Sequence, residues 1–180
     1  KRLSVDIINK KVILYVGAIL EEKNLLQLCQ SLRHTSIENA ILIVVGDGPY
    51  LDELKQQFSF DDNIVFVGSV LKEVGLYFDS ADVFVLPGTG GLAINEAMAH
   101  GLPIISGYAG GSADDLVINN VNGLRLNQST PEEITNQIIT LLSSPEALSL
   151  MGEKSKDMIQ THFTYERFID RIVGVIKKLI

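Results

Sequence analysis

Cysteine is almost missing from this sequence. Cys29 is the only one in 180 residues, so no internal disulfide can form. That fits a reducing compartment such as the cytoplasm, and Cys29 itself falls at an apolar helical position that reads as core. Tryptophan is absent, and no apolar run approaches the roughly 20 residues that span a bilayer. No basic run occurs, and the formal charge is −7. Nucleic acid and contact with an anionic membrane are therefore excluded as partners expected of this domain. The three histidines, His34, His100 and His162, have no neighbours at metal-ligand spacing, so no protein-built metal site is expected.

What is abundant is apolar residues, 46% of the chain, which suffices for one compact domain with a sizeable core. They fall in short continuous runs at 11–16, 40–45, 63–67, 82–86, 103–106 and 123–126, most closed by glycine or proline. Such runs read as strands buried on both faces of a parallel sheet. A further short strand is expected at Leu116–Ile118. Helices are expected at 21–32, around Tyr50 to Phe58, at 71–78, and in three C-terminal segments that open near Thr130, Ser144 and Thr164. The fold class is α/β: a doubly wound, Rossmann-like parallel sheet with C-terminal helices. Ligands bind such sheets outside the carboxyl ends of the strands. The turns after positions 16, 45, 67 and 87 all belong to that edge.

One stretch stands out there: Leu86-Pro87-Gly88-Thr89-Gly90-Gly91-Leu92-Ala93-Ile94-Asn95-Glu96. A strand runs into a glycine turn and then a helix. The first amides of a helix have no intrahelical partner, and its dipole adds positive charge, so the turn suits a phosphate or diphosphate. A glycine turn chosen for tight packing is the competing reading. The pattern is neither a P-loop nor a dinucleotide fingerprint, because no Gly-Lys-Ser/Thr follows and the glycine spacing differs. Glu96, flanked by Ile94, Ala97 and Met98, reads as a carboxylate in a buried helix that needs donors such as ribose hydroxyls. Adjacent carboxylates at Asp61-Asp62 and Asp114-Asp115 point apart and make no acid/base dyad. Gly110-Gly111-Ser112 reads as a flexible turn or a donor contact.

The run Glu96-Ala97-Met98-Ala99-His100-Gly101-Leu102-Pro103-Ile104-Ile105 resembles the donor-site signature of retaining glycosyltransferases of the two-Rossmann-domain (GT-B) kind, the sucrose-synthase-like group 1 family. The likeness covers the whole chain. Gly17-Ala18-Ile19-Leu20-Glu21-Glu22-Lys23 is similar to the end of the family's first strand, with Lys23 on its phosphate-binding lysine and Ala18 on its arginine. Val44-Val45-Gly46-Asp47-Gly48-Pro49, Val65-Phe66-Val67-Gly68 and Asn122-Gly123-Leu124 match further family segments. The family's first glutamate falls on Gly88, and its Gly-Phe-Gly becomes Thr89-Gly90-Gly91.

The resemblance implies the C-terminal half of a glycosyltransferase, residues 1–180 forming one donor-binding domain, with the N-terminal acceptor domain outside this chain. It implies a nucleotide-diphospho-sugar donor, a glycan or lipid-linked glycan acceptor and a metal-independent reaction without a cofactor. The full-length protein is then cytoplasmic or peripheral to a membrane. Lys23 becomes the catalytic cation, stabilising the leaving nucleotide. Gly17, Lys23, Gly88, Thr89, Gly90, Gly91, Leu92 and Ala93 bind the diphosphate, Glu96 the ribose, and Val67 and Gly68 the base. A fragment of this kind binds donor but transfers little alone. The rivals are a nucleotide-sugar epimerase, which needs acid/base carboxylates in the cleft, and a nucleotide-sugar binder without catalysis.

Overall fold

Apolar runs of four to six residues are too short to bury a helix but long enough to cross a sheet. In the computed structural model, which describes residues 5–33, 38–107 and 115–179, they form one parallel six-stranded sheet. The strands are β1 (Lys11–Val16), β2 (Ala40–Val45), β3 (Ile64–Gly68), β4 (Val83–Leu86), β5 (Ile104–Ser106) and β6 (Gly123–Arg125). Their order is β3-β2-β1-β4-β5-β6. The order reverses between β1 and β4, the place in such sheets where ligands bind outside the carboxyl edge.

The helices are α1 (Leu25–Arg33), α2 (Leu51–Gln57), α3 (Gly75–Asp79), α4 (Leu92–Ala99), α5 (Pro131–Leu142), α6 (Pro145–His162) and α7 (Tyr165–Leu179). The chain steps one way from β1 to β2 and the other way from β4 to β5. Right-handed crossovers therefore put α1 and α4 on opposite faces. Helix α1 packs on α5, and α4 packs on α6. Between these layers β2 and β4 are wholly buried, together with Tyr15, Phe78 and Phe84. Cys29 lies in this core, where burial, then the nearby Asp61 charge, pushes its thiol up to about 12.

Helix starts follow the sequence signals. Thr130 Oγ1 accepts from the Glu133 amide at 3.3 Å, and Ser144 Oγ accepts from the Ala147 amide at 3.2 Å. The Glu133 carboxylate turns back to accept from the amides of Asn127, Gln128 and Ser129 at 2.7, 3.0 and 2.9 Å. Burial pushes Glu133 up, but these donors outweigh it and hold the carboxyl below its ordinary value.

Three expected elements differ. The helix expected at 21–32 is broken: a 3-10 turn at Glu21–Lys23 ends on Asn24, which has φ 54°, before α1 starts at Leu25. Asn tolerates this left-handed conformation, and its side-chain amide donates to the Pro87 carbonyl at 3.4 Å. The helix expected from Leu71 starts only at Gly75, leaving 69–74 as a loop. Leu116–Ile118 is no strand. The Asn122 side chain donates to the Leu116 carbonyl at 2.9 Å and accepts from the Ile118 amide at 2.8 Å, taking the backbone groups a neighbouring strand would have paired.

Helix α7 keeps an apolar surface in water. Ile169, Ile172, Val173, Val175 and Ile176 are all exposed.

Candidate functional site: the glycine bend before α4

The bend is a continuation of β4. Pro87 ends the strand, Gly88 and Thr89 turn the chain, and Gly91 is the residue before α4. It is stitched to the 3-10 turn after β1. The Thr89 amide donates to the Glu22 carbonyl at 3.3 Å, and the Lys23 ammonium donates to the Thr89 carbonyl at 2.6 Å. Lys23 Nζ also lies 3.4 Å from Thr89 Oγ1. On the other side the Ser129 hydroxyl donates to the Pro87 carbonyl at 2.7 Å.

Gly88 explains why the two loops come so close. A Cβ at this buried position would lie 2.3 Å from the Glu22 carbonyl oxygen and 2.4 and 2.5 Å from the Lys23 carbonyl carbon and Cα. No side chain fits there. The glutamate that the resemblance places at this point is thus excluded by the backbone of Glu22 and Lys23, not merely replaced.

Beyond Thr89 the bend opens. No described residue accepts a hydrogen bond from the amides of Gly90, Gly91, Leu92 or Ala93. Gly91 carries no capping side chain, and Leu92 is 88% exposed. Bare amides, the positive end of the helix dipole and a lysine ammonium therefore meet in one place. That combination attracts an oxyanion. Close packing accounts for Gly88, while Gly90 and Gly91 leave donors open.

The remaining expected residues lie on the same edge. The Gly17 amide donates to the Val45 carbonyl at 3.0 Å, and the Gly46 amide to the Gly68 carbonyl at 2.9 Å, so the loops after β1, β2 and β3 are joined in a row. Beside Gly17, Ala18 is exposed, and its carbonyl accepts from the Tyr15 hydroxyl at 2.8 Å. Burial, aided by Cys29, raises that phenol far above its usual range. Val67 is half-buried, and nothing lies within 4 Å of the place where a Gly68 Cβ would stand.

Glu96 corrects the expectation of a buried carboxylate. Ile94, Ala97 and Met98 are buried, but Glu96 is exposed on the opposite face of α4. No described residue hydrogen-bonds its side chain, so water solvates it and the oxygens are open to a ligand. It sits four residues after Leu92, about 6 Å along the axis from the helix start.

Other candidates resolve as structural. The His100 imidazole is 2.6 Å from Asp79 and stacks on Phe78, fastening α3 to α4. Asp61 makes a two-point ion pair with Arg33, whose guanidinium holds its carboxyl below the usual range. His162 ends α6. Among the described residues, no group of three or more His, Cys, Asp and Glu is placed to hold a metal. His34, Gly110, Gly111, Ser112 and Asp114 lie outside the described residues. An open polar pocket of about 430 Å³ lies at the β6 edge, lined by Asn119, Asn120, Arg125, Asn127 and Gln137 among others.

The sequence reading missed Asn24 and Ser129, both of which hold the Pro87 carbonyl. Asn24 carried a faint signal, since asparagine is one of few residues suited to a left-handed break. Ser129 carried none, being 42 residues away in sequence.

Known proteins are similar to this chain in sequence and fold. The chain is 32% identical over 162 residues to the sulfoquinovosyl transferase SQD2 of Arabidopsis thaliana, covering 87% of this chain and 31% of that protein. It is 26% identical over 155 residues to the GDP-mannose-dependent alpha-(1-6)-phosphatidylinositol monomannoside mannosyltransferase of Mycobacterium tuberculosis, covering 78% of this chain and 40% of that one. The fold matches the crystal structure of Anabaena HepE in complex with UDP with a TM-score of 0.87, at 21% identity, over 96% of this chain and 50% of that chain. The chain thus spans a third to a half of the length of these relatives. Residues 5–158 match the family model described as glycosyl transferases group 1. With six parallel strands in Rossmann order and most of its length matched, the chain belongs to the group 1 family of glycosyl transferases.

Proposed function

We propose that this chain is the donor-binding half of a retaining glycosyltransferase that moves a sugar from a nucleotide-diphospho-sugar to a glycan or lipid-linked glycan. The observation that carries the reading is the row of open amides from Gly90 to Ala93 beside the Lys23 ammonium. The donor diphosphate lies against those amides, Gly17 and the Gly88-Thr89 turn. Lys23 and the α4 dipole stabilise the nucleoside diphosphate as it leaves with its bonding electrons. Glu96 accepts from the ribose hydroxyls, and the base lies beside Val67 and Gly68. No step uses a metal or a cofactor, because the cation and the helix start carry the leaving-group charge.

The acceptor is assigned by analogy with the relative whose name gives a phosphatidylinositol monomannoside. The other half of the enzyme is an N-terminal domain that binds the acceptor. The shares of relatives covered, 31% and 40%, support that division. The exposed apolar face of α7 is a surface for it. No helix among the described residues is long and apolar enough to cross a membrane. The full protein is placed in the cytoplasm, peripheral to the membrane when its acceptor is a lipid.

Gly88 favours a second reading, a nucleotide-sugar binder without catalysis, because no carboxylate can stand at that position to grip the sugar. The test is a transfer assay with nucleotide-sugars and lipid or glycan acceptors, run on this chain alone and joined to the segment encoded before it. Transfer only by the joined protein is expected. Full-rate transfer by the isolated chain contradicts the division of labour, and donor binding without transfer in either form selects the second reading.

A further inference from the structure

We infer that the open pocket at the β6 edge binds a neutral carbohydrate, a glycan subsite that stands on the pocket itself and not on the donor reading above. β6 is an outer strand, so its backbone pairs with β5 on one side only. An outer edge ordinarily invites a further strand. Here the chain itself occupies it. The Gly123 carbonyl accepts from the Asn120 amide at 2.8 Å, and the Arg125 amide donates to Asn119 Oδ1 at 3.0 Å. Just past the strand, the Asn127 amide donates to Glu133 Oε1 at 2.7 Å. With these groups taken, the edge offers side-chain amides rather than backbone to whatever fills the pocket.

The same bonds fix which end of each amide is left over. Asn119 uses its oxygen on the Arg125 amide, so its two N–H groups remain. Asn127 uses its nitrogen on Glu133 Oε1 at 3.1 Å, so its oxygen remains. Gln137 lies one turn after Glu133 on the same face of α5 and brings another amide to the wall. A donor beside an acceptor, repeated along one wall, complements a row of hydroxyls, each of which both gives and takes a hydrogen bond. The volume of about 430 Å³ lies in the range of small-molecule sites.

Other ligand classes fit less well. Among the described residues the lining has no carboxylate to take a metal or an amine, no aromatic ring to stack a nucleobase and no helix start to hold a phosphate. Its two apolar members, Leu124 and Leu126, are buried in the core and leave no surface for a lipid chain. The pocket is also close to the bend. Asn127 is two residues before Ser129, whose hydroxyl holds the Pro87 carbonyl, and β6 is two strands from β4, about 10 Å across the sheet.

An array of neutral oligosaccharides probed with the 180-residue chain, followed by nitrogen-resolved magnetic resonance with the members that bind, tests this. The expected shifts centre on Asn119, Asn120, Asn127 and Gln137, while Gly90 to Ala93 stay still. Asn119→Asp keeps the oxygen that accepts from Arg125 but puts an acceptor in place of the free N–H groups, and should weaken the glycan about tenfold. Gln137→Ala should weaken it by a similar factor. Asn119 is exposed, so its variant keeps the wild-type thermal midpoint, and both variants bind pyrophosphate within twofold of wild type. No array member bound, glycan shifts centred on Gly90 to Ala93, or wild-type glycan affinity in both variants overturns the inference and leaves the donor reading intact. UDP, GDP or pyrophosphate shifting the pocket residues in place of Gly90 to Ala93 overturns both.

Discussion

Introducing at position 88 the glutamate that the family resemblance places there should damage this protein rather than improve it. In Gly88→Glu the new Cβ begins 2.3 Å from the Glu22 carbonyl oxygen and 2.4 Å from the Lys23 carbonyl carbon. Ordinary contact needs the two loops to part by about 1 Å. The hydrogen bond from the Thr89 amide to Glu22, already 3.3 Å long, is then lost. That bond contributes about 1 kcal/mol, and forcing atoms into a packed site costs about 1–3 kcal/mol more. Each kcal/mol lowers the midpoint of a domain this size by about 2–4 °C, so a fall of roughly 5–15 °C is expected. Gly88→Ala meets the same contacts and shows most of the effect without the charge. The assay is thermal unfolding followed by circular dichroism, with nucleoside diphosphate titration beside it. Parting the loops also pulls Lys23 from the bend, so affinity falls at least tenfold. A Gly88→Glu protein with the wild-type midpoint and tighter donor binding refutes the reasoning.

Three further outcomes follow from the geometry. Lys23→Met removes the ammonium facing the open amides and should weaken nucleoside diphosphates about 10- to 100-fold by calorimetry, the range for a hydrogen bond from a charged group. Its bond to Thr89 is exposed, so the thermal midpoint moves little. Glu133 titrates lower in the folded chain than unfolded, so its stabilisation is present above the unfolded value near pH 4 and is lost as pH falls through the folded value. Glu133→Gln is therefore expected to cost about 1 kcal/mol at pH 7 in urea unfolding, with the gap to wild type closing in acid. Cys29, fully buried and with its thiol raised to about 12, should resist a thiol reagent at pH 8 until the chain unfolds, and labelling at the speed of a free thiol contradicts its placement.

The layout was legible where a single local signal decides it. Ala40–Val45 is apolar throughout and closes on Gly46, so it had to be an inner strand. Thr130-Pro131 and Ser144-Pro145 start helices by chemistry confined to one turn. Two errors came where a single side chain takes the backbone groups of another segment. Asn24 breaks its helix while reaching Pro87, 63 residues away, and Leu116–Ile118 is claimed by the Asn122 side chain rather than a strand. Glu96 was misjudged by its neighbours in sequence. With Ile94, Ala97 and Met98 facing the core, helical periodicity already turned Glu96 outward. Gly88 was readable as a departure from the family pattern, but its cause is the backbone of Glu22 and Lys23, which no local pattern reveals.

The central claim is that a diphosphate seats on the open amides at the start of α4. Nitrogen-resolved magnetic resonance during titration with UDP, GDP, ADP and pyrophosphate reads those amides one by one. The account predicts that Gly90, Gly91, Leu92 and Ala93 shift most and together, and that the shifts vanish in Lys23→Met at the same ligand concentration. Shifts centred instead on the β6-edge pocket around Asn119 and Arg125, with the four amides unmoved, contradict it.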